Sequence, residues 1–302
     1  MKRALAVVGL FCVLAACKPS ASIGNLDISP DLASLVPSDT VFVIGANLRQ
    51  IRDTAIYQKL LSRAPLPQLD EFARRTGLDP RKDLDQILSC SNGKENLLMA
   101  RGSFRMAEIE ARLRANHVEE AAYKSHTLFG GDRTSILLLN SSTALFGPAA
   151  DLRAIIDRGS QGPGLPAPLR DLLKTLPSGD QVYGALTGGL EGLNFAPPQN
   201  SNLASVIQAL KTVDRATLGM DLRKGFQLNI SVFCQTDRDA KFVHDVVRGI
   251  VGFGRLNTPD DHPELLKLYD SIQVTQDQAR ADVKADIPQD LADQFLDLWL
   301  KR

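Results

Sequence analysis

Apolar residues recur along the chain with two periods, near two and near 3.6, and the switches between them mark out elements. Residues 41–46 are almost continuously apolar and β-rich, which predicts a buried strand. A short helical turn precedes them at 31–37. From 51 to 63 the apolar residues Ile56, Leu60 and Leu61 fall at helical spacing, and 69–76 predicts a second helix stopped by Gly77. Residues 86–91 and 96–101 predict a hairpin about Asn92-Gly93-Lys94. An amphipathic helix follows at 106–116. Next come three short strands at 123–129, 135–140 and 143–146, and a helix at 149–157.

The glycine- and proline-rich stretch 159–168 predicts a linker, after which the element order repeats. Strand 181–186 answers the first strand and helix 203–211 the first helical region. Strands 216–222 and 226–234 answer the hairpin, 239–251 the amphipathic helix, and 271–275 and 280–285 the last strands. Leu35-Val36-Pro37 recurs as Leu176-Pro177 and Asp151-Leu152 as Asp290-Leu291, both about 140 residues on, the mark of a duplicated unit. The expected fold is α+β: tandem duplicated units of largely antiparallel sheet with helices packed on one face. Each unit has the flavour of a ferredoxin-like split β-α-β with an added strand and helix. Two such sheets would pair side by side and hide each other's edges. The expected units are 30–158 and 169–302.

Ahead of them, Met1-Lys2-Arg3 leads into an uncharged apolar run at 4–13, the n-region and h-region of a secretory signal. The run falls short of the about 20 residues that span a bilayer core. It ends in Leu14-Ala15-Ala16-Cys17, which resembles the lipobox of bacterial lipoproteins. The resemblance covers only the signal segment, 1–16. It implies that the Cys17 sulfur takes a diacylglyceryl group and that cleavage makes Cys17 the new N-terminus. Anchoring by two or more acyl chains is stable, so the implied partner is a lipid bilayer. Lys18, rather than aspartate, follows the cysteine, which implies the outer membrane, facing the periplasm, in a Gram-negative host. An ordinary secretory signal cut after Ala16 is the alternative, with Cys17 left as a free thiol. Residues 17–29 predict the lipidated terminus and a flexible tether containing Pro19, Ser20, Ser22 and Gly24.

Removing Lys2 and Arg3 with the signal leaves 33 basic residues against 35 acidic ones, a net charge of −2. That balance argues against a nucleic-acid partner. Cys90 and Cys234 remain in an oxidising compartment that permits a disulfide between them. Both also lie in apolar strand-like runs, where a free buried cysteine is common. No Cys/His spacing points to a metal, and no motif points to a cofactor. Asp260-Asp261-His262 sets three polar side chains in a row, read as a turn before a helix opened by Pro263. Gly249-x-x-Gly252-x-Gly254 has the wrong order for a dinucleotide fingerprint and is placed at a helix end. No serine-hydrolase elbow or zinc-protease motif is present.

The expected function is therefore a non-catalytic binding or structural role in the cell envelope, with an envelope protein or an apolar ligand as partner. The alternative is an envelope hydrolase whose dispersed acidic residues are assembled by the fold. Raised carboxylate pKa values in a cleft would favour the hydrolase. A groove lined only by apolar side chains would favour a carrier.

Overall fold

A computed structural model describes residues 26–63, 66–159, 162–189, 204–259 and 262–300. The signal segment, Cys17 and most of the expected tether lie outside the described residues. The first half runs α1 (Pro30–Leu35), β1 (Phe42–Asn47), α2 (Leu48–Arg52), α3 (Ala55–Arg63), α4 (Pro67–Thr76), α5 (Pro80–Asp83), β2 (Leu84–Ser91), β3 (Asn96–Gly102), α6 (Met106–Ala115), β4 (Glu120–Tyr123), β5 (His126–Gly131), β6 (Thr134–Asn140), β7 (Thr143–Gly147) and α7 (Ala149–Arg158). The second runs α8 (Ala167–Leu173), β8 (Val182–Thr187), α9 (Ala204–Lys211), β9 (Val213–Asp221), β10 (Gly225–Cys234), α10 (Asp237–Leu256), α11 (Pro263–Asp270), β11 (Ile272–Asp277), β12 (Arg280–Pro288) and α12 (Gln289–Leu300).

The strands form one twelve-stranded sheet in the order β11-β12-β10-β9-β8-β1-β2-β3-β7-β6-β5-β4, with every ladder antiparallel. The halves join through β1 and β8, from Phe42 opposite Leu186 to Ala46 opposite Val182. The expected side-by-side pairing is thus a single continuous sheet. Strand order reads outward from that seam as β1-β2-β3-β7-β6 on one side and β8-β9-β10-β12-β11 on the other. The hairpin β4-β5 extends only the first side.

Three features differ from the sequence reading. The split β-α-β arrangement does not form: β2 returns directly beside β1, with no strand inserted between them. Helices cover both faces rather than one. The cause is in the strands of the first half, which carry apolar neighbours such as Leu97-Leu98, Leu137-Leu138 and Leu145-Phe146, and so present apolar side chains both ways. The strand expected at 123–129 is instead the β4-β5 hairpin. Its turn at Lys124-Ser125 contains no glycine or asparagine, and Lys124 itself takes the left-handed conformation, φ 51°.

On one face, α1, α7 and α8 enclose the largest core with Val43, Leu88, Met99, Leu137, Leu145 and Tyr183. This core crosses the seam, so the halves share it. Leu165, inside the expected linker, is buried in it, and residues 160–161 of that linker lie outside the described residues. Leu26 and Ile28 are buried there too. Gln86 fixes that segment: its Oε1 accepts from the Ser29 amide at 2.9 Å and its Nε2 donates to the Asp27 carbonyl at 3.0 Å. Residues 26–29, expected in the tether, therefore belong to the folded body.

On the opposite face, α6 packs on Phe129 and Leu138, while α9 and α10 pack on Cys234 and Ala281. There α12, α11 and Ile56 of α3 cover Leu228, Ala285 and Ile287. Helix α10 also runs past the expected end, through all three glycines to Leu256. Gly254 lets α10 and α11 approach closely, since a Cβ there would lie 2.6 Å from the Tyr269 ring of α11.

Candidate functional site

On the face that carries α6, the even-numbered side chains of β3, β6 and β7 make an apolar floor: Leu98, Ala100, Ile136, Leu138, Ala144 and Phe146. Ile109 and Leu113 of α6, with Phe104 before it, form one wall. Phe72 of α4 with Leu78, Pro80 and Leu84 forms the other. The trough between them has a volume of about 310 Å³, and no charged side chain lines it. Its one polar side chain, Thr76, is already committed. The hydroxyl donates to the Phe72 carbonyl at 2.7 Å and accepts from the Leu78 amide at 3.2 Å. Leu98, Phe146 and Phe72 remain exposed along it. An apolar concavity of this size is the usual form of a small-molecule site, although such sites normally add a few polar groups.

Arginine side chains clamp the walls together by bonding backbone carbonyls across the gap. Arg112 Nη1 donates to the Arg74 carbonyl at 2.7 Å, and Arg105 Nη2 to the Gly77 carbonyl at 3.2 Å. Asn116 Nδ2 reaches the Arg75 carbonyl at 3.0 Å. Gly77 ends α4 in the left-handed conformation, φ 76°, and a Cβ on it would lie 2.9 Å from Arg112 Cδ. The spacing between α4 and α6 is therefore set by hydrogen bonds outside the trough, and the apolar interior is left unfilled.

The second half shows why the trough is open. Helix α12 follows β12 and lies over Leu228 and Ala285, which are paired across the β10-β12 ladder. The corresponding pair in the first half is Leu98 and Phe146. Helix α7, which follows β7, instead turns to the other face, where Leu152 and Ile155 join the shared core. On β10 and β12 of the second half that other face carries Gln227, Asn229, Ser231, Lys284 and Asp286, a mostly polar surface.

The sequence-predicted cysteines are not brought together. Cys90 on β2 and Cys234 on β10 are both free and buried. Four strand spacings separate their strands, about 19 Å. A disulfide needs Cα atoms within about 7 Å, so the contemplated bridge gives way to the alternative of two buried thiols. Burial pushes the Cys90 thiol up to about 12 and raises that of Cys234. Cys17 lies outside the described residues.

Two acids are perturbed upward. Asp180, only 5% exposed, is pushed up to about 6 by burial and then by the neighbouring Asp221 charge. Its Oδ2 has no hydrogen-bond partner. Asp221 is held down to about 2, chiefly by its hydrogen bonds with Arg223. Burial raises Asp151, helped by Glu95 and Asp39, in a separate cavity of about 50 Å³ beside Cys90. None of these acids lines the trough. Among the described residues no group of three or more potential metal ligands clusters, and no helix is long and apolar enough to cross a membrane. Pro263 opens α11 as expected, and Asp260 and Asp261 lie outside the described residues.

No family model and no curated protein matches the chain. Its fold is similar to solved structures of TP0453. Crystal form III aligns with a TM-score of 0.51 at 9% identity, covering 89% of this chain and 98% of that one. Crystal form IV gives 0.49 at 10% identity, over 89% and 96%, and crystal form I gives 0.46 at 11%, over 87% and 95%. At such identities the likeness concerns the fold alone.

Proposed function

We propose that this chain is a lipid-anchored protein of the bacterial cell envelope with a non-catalytic binding role. Acyl chains on Cys17 hold it to a bilayer, in a Gram-negative host the outer membrane on its periplasmic side. The trough takes the apolar part of a ligand. The observation that carries this reading is a concavity of about 310 Å³ walled by Phe72, Leu78, Phe104, Ile109, Leu113 and Phe146 without one charged side chain. Water in such a space finds almost no partners, so an apolar occupant displaces it favourably. The hydrolase alternative would rest on Asp180 and Asp221, whose proton affinities are driven apart as those of acid-base partners are. A substrate seated in the trough does not touch either of them.

Two measurements test the proposal. Mass spectrometry of the protein extracted from its own membranes should give residues 17–302 with a diacylglyceryl adduct, and an unmodified Cys17 overturns the anchor. For the site, a Cys17→Ser chain is titrated with a fluorescent apolar probe. Leu98→Lys and Phe146→Lys should weaken binding at least about tenfold, because a ligand seated over the trough floor either loses apolar contact there or takes the ammonium out of water. Unchanged binding in both variants overturns the trough as the site.

A further inference from the structure

The sheet's two edges are finished differently. Strand β4 is four residues long, and its neighbourhood is tied down by charged side chains. Glu120 pairs with Arg114 at 2.8 Å, Lys124 pairs with Asp157, and the Tyr123 hydroxyl donates to Asp157 at 2.8 Å. Strand β11 has six residues, Ile-Gln-Val-Thr-Gln-Asp, with no lysine, no proline and a single charge at its end. Among the described residues no ion pair involves it. It lacks the devices that keep an edge strand from pairing with another chain.

The first half shows what this position can accept. Strand β6 holds the place that β11 holds in the second half, and it pairs on its outer side with β5. The added strand is sheltered by the preceding helix: Ile109 and Leu113 of α6 cluster with Phe129 of β5. In the second half α10 packs against β11, and among the described residues no strand lies beyond. There the end of α10 leaves Ile250, Phe253 and Leu256 exposed, Phe253 at 70% and Leu256 at 86%. The second half therefore has both an unpaired edge strand and, on the helix packed against that strand, an uncovered apolar stripe, whereas the first half has a further strand under its helix.

We propose that the β11 edge is an interface with a second copy of this chain, pairing β11 with β11 in antiparallel fashion. A two-fold axis perpendicular to the sheet keeps each face continuous and sets residues of like parity opposite one another. Centred on Val274, it places Val274 against Val274 on the α10 face, Ile272 against Gln276, and Gln273 against Thr275. Asp277 then meets Ser271 instead of its own copy, so no like charges oppose within the ladder. The two α10 stripes come together across the axis and cover each other.

Native mass spectrometry of the full chain in detergent, from about 1 to 100 µM to bracket a micromolar Kd, reads the assembly. A dimer is expected. Gln273→Lys with Thr275→Lys sets lysine against lysine at two places and should give a monomer. Gln273→Glu with Thr275→Lys sets opposite charges there and should restore the dimer. Far-UV circular dichroism checks that each variant folds. Val274→Cys needs no destabilisation to report: directly opposed residues lie at Cα separations of about 4.5–5.5 Å, within disulfide reach, so mild oxidation should give a covalent dimer. A monomeric parent across that range, dimers indifferent to both charge pairs, or no cross-link through residue 274 would overturn the interface, including the case in which β11 receives a strand of another protein.

Discussion

Asp180 gives this protein a pH dependence whose sign follows from the structure. The residue lies two positions before β8 and is almost fully buried, with one carboxylate oxygen unpartnered. Gly219 across the ladder makes room for it, since a Cβ there would fall 2.1 Å from Oδ2. Its pKa rises from 3.8 in an open chain to about 6 in the folded state, so the native state holds the proton more tightly. Stability is then greatest below about pH 4 as far as this group is concerned, and is lost as pH rises through 6. A shift of about two units corresponds to about 3 kcal/mol, an upper figure because Asp221 beside it responds. Asp221 works in the opposite sense. Held down to about 2, it contributes stability above its ordinary pKa of 3.8 and loses it as pH falls towards 2. Urea titration of the full chain at pH 4, 5, 6, 7 and 8 separates the two, because Asp221 has finished titrating below that window; Asp151, also raised by burial, acts in the same sense as Asp180, so the Asp180→Asn variant isolates the Asp180 share. Asp180→Asn should flatten the decline between pH 4 and 7 and match or exceed the parent's stability at pH 8. A variant that keeps the parent's slope would show that another group holds the proton.

Other expectations follow from packing and chemistry. Alkylation of the unfolded chain without reductant should label both Cys90 and Cys234; protection of the pair would mean they are bonded. Leu88→Ala, in the core shared across the seam, should cost about 2–5 kcal/mol and lower one cooperative transition, whereas a loss confined to one of two transitions would mean the halves unfold apart. Gly45→Ala drives a Cβ to 2.5 Å from the Tyr183 ring on the neighbouring strand, so about 1–3 kcal/mol should be lost in a urea titration.

Much of the architecture is legible in the sequence because strands and helices differ in period and because turns carry glycine, asparagine or proline. The repeat of element order, seen through Leu176-Pro177 and Asp290-Leu291, corresponds to strand orders that run alike from the β1-β8 seam. What failed were features set by tertiary context. The Lys124-Ser125 turn joins two strands paired from Tyr123 opposite His126, and α10 continues through Gly254 where it lies against Tyr269 of α11. The trough does leave a signal in the sequence. Strands with apolar neighbours in sequence need cover on both faces, and Leu97-Leu98 and Leu145-Phe146 ask for more helix than the first half supplies on the α6 face. Which side would stay short depends on where α7 docks, and that choice lies in contacts distant in sequence.

That choice makes the two halves unequal at matched positions, and the inequality can be measured. Phe146 and Ala285 both stand five residues before the Asp-Leu landmark, and both pair with a leucine of the adjacent strand, Leu98 and Leu228. Phe146 is 44% exposed at the open trough, whereas Ala285 is 6% exposed beneath α12. A lysine at 146 keeps its ammonium in water and should cost less than about 1 kcal/mol, as exposed substitutions do. A lysine at 285 is pressed against Leu291 and Leu228 beneath α12, and burying its charge in that apolar cluster costs about 3–5 kcal/mol. Urea midpoints for the two variants should therefore differ widely although the residues hold matching places in the strand order counted from the β1-β8 seam. Equal losses would mean that the α6 face is closed over Phe146, and the apolar site would close with it.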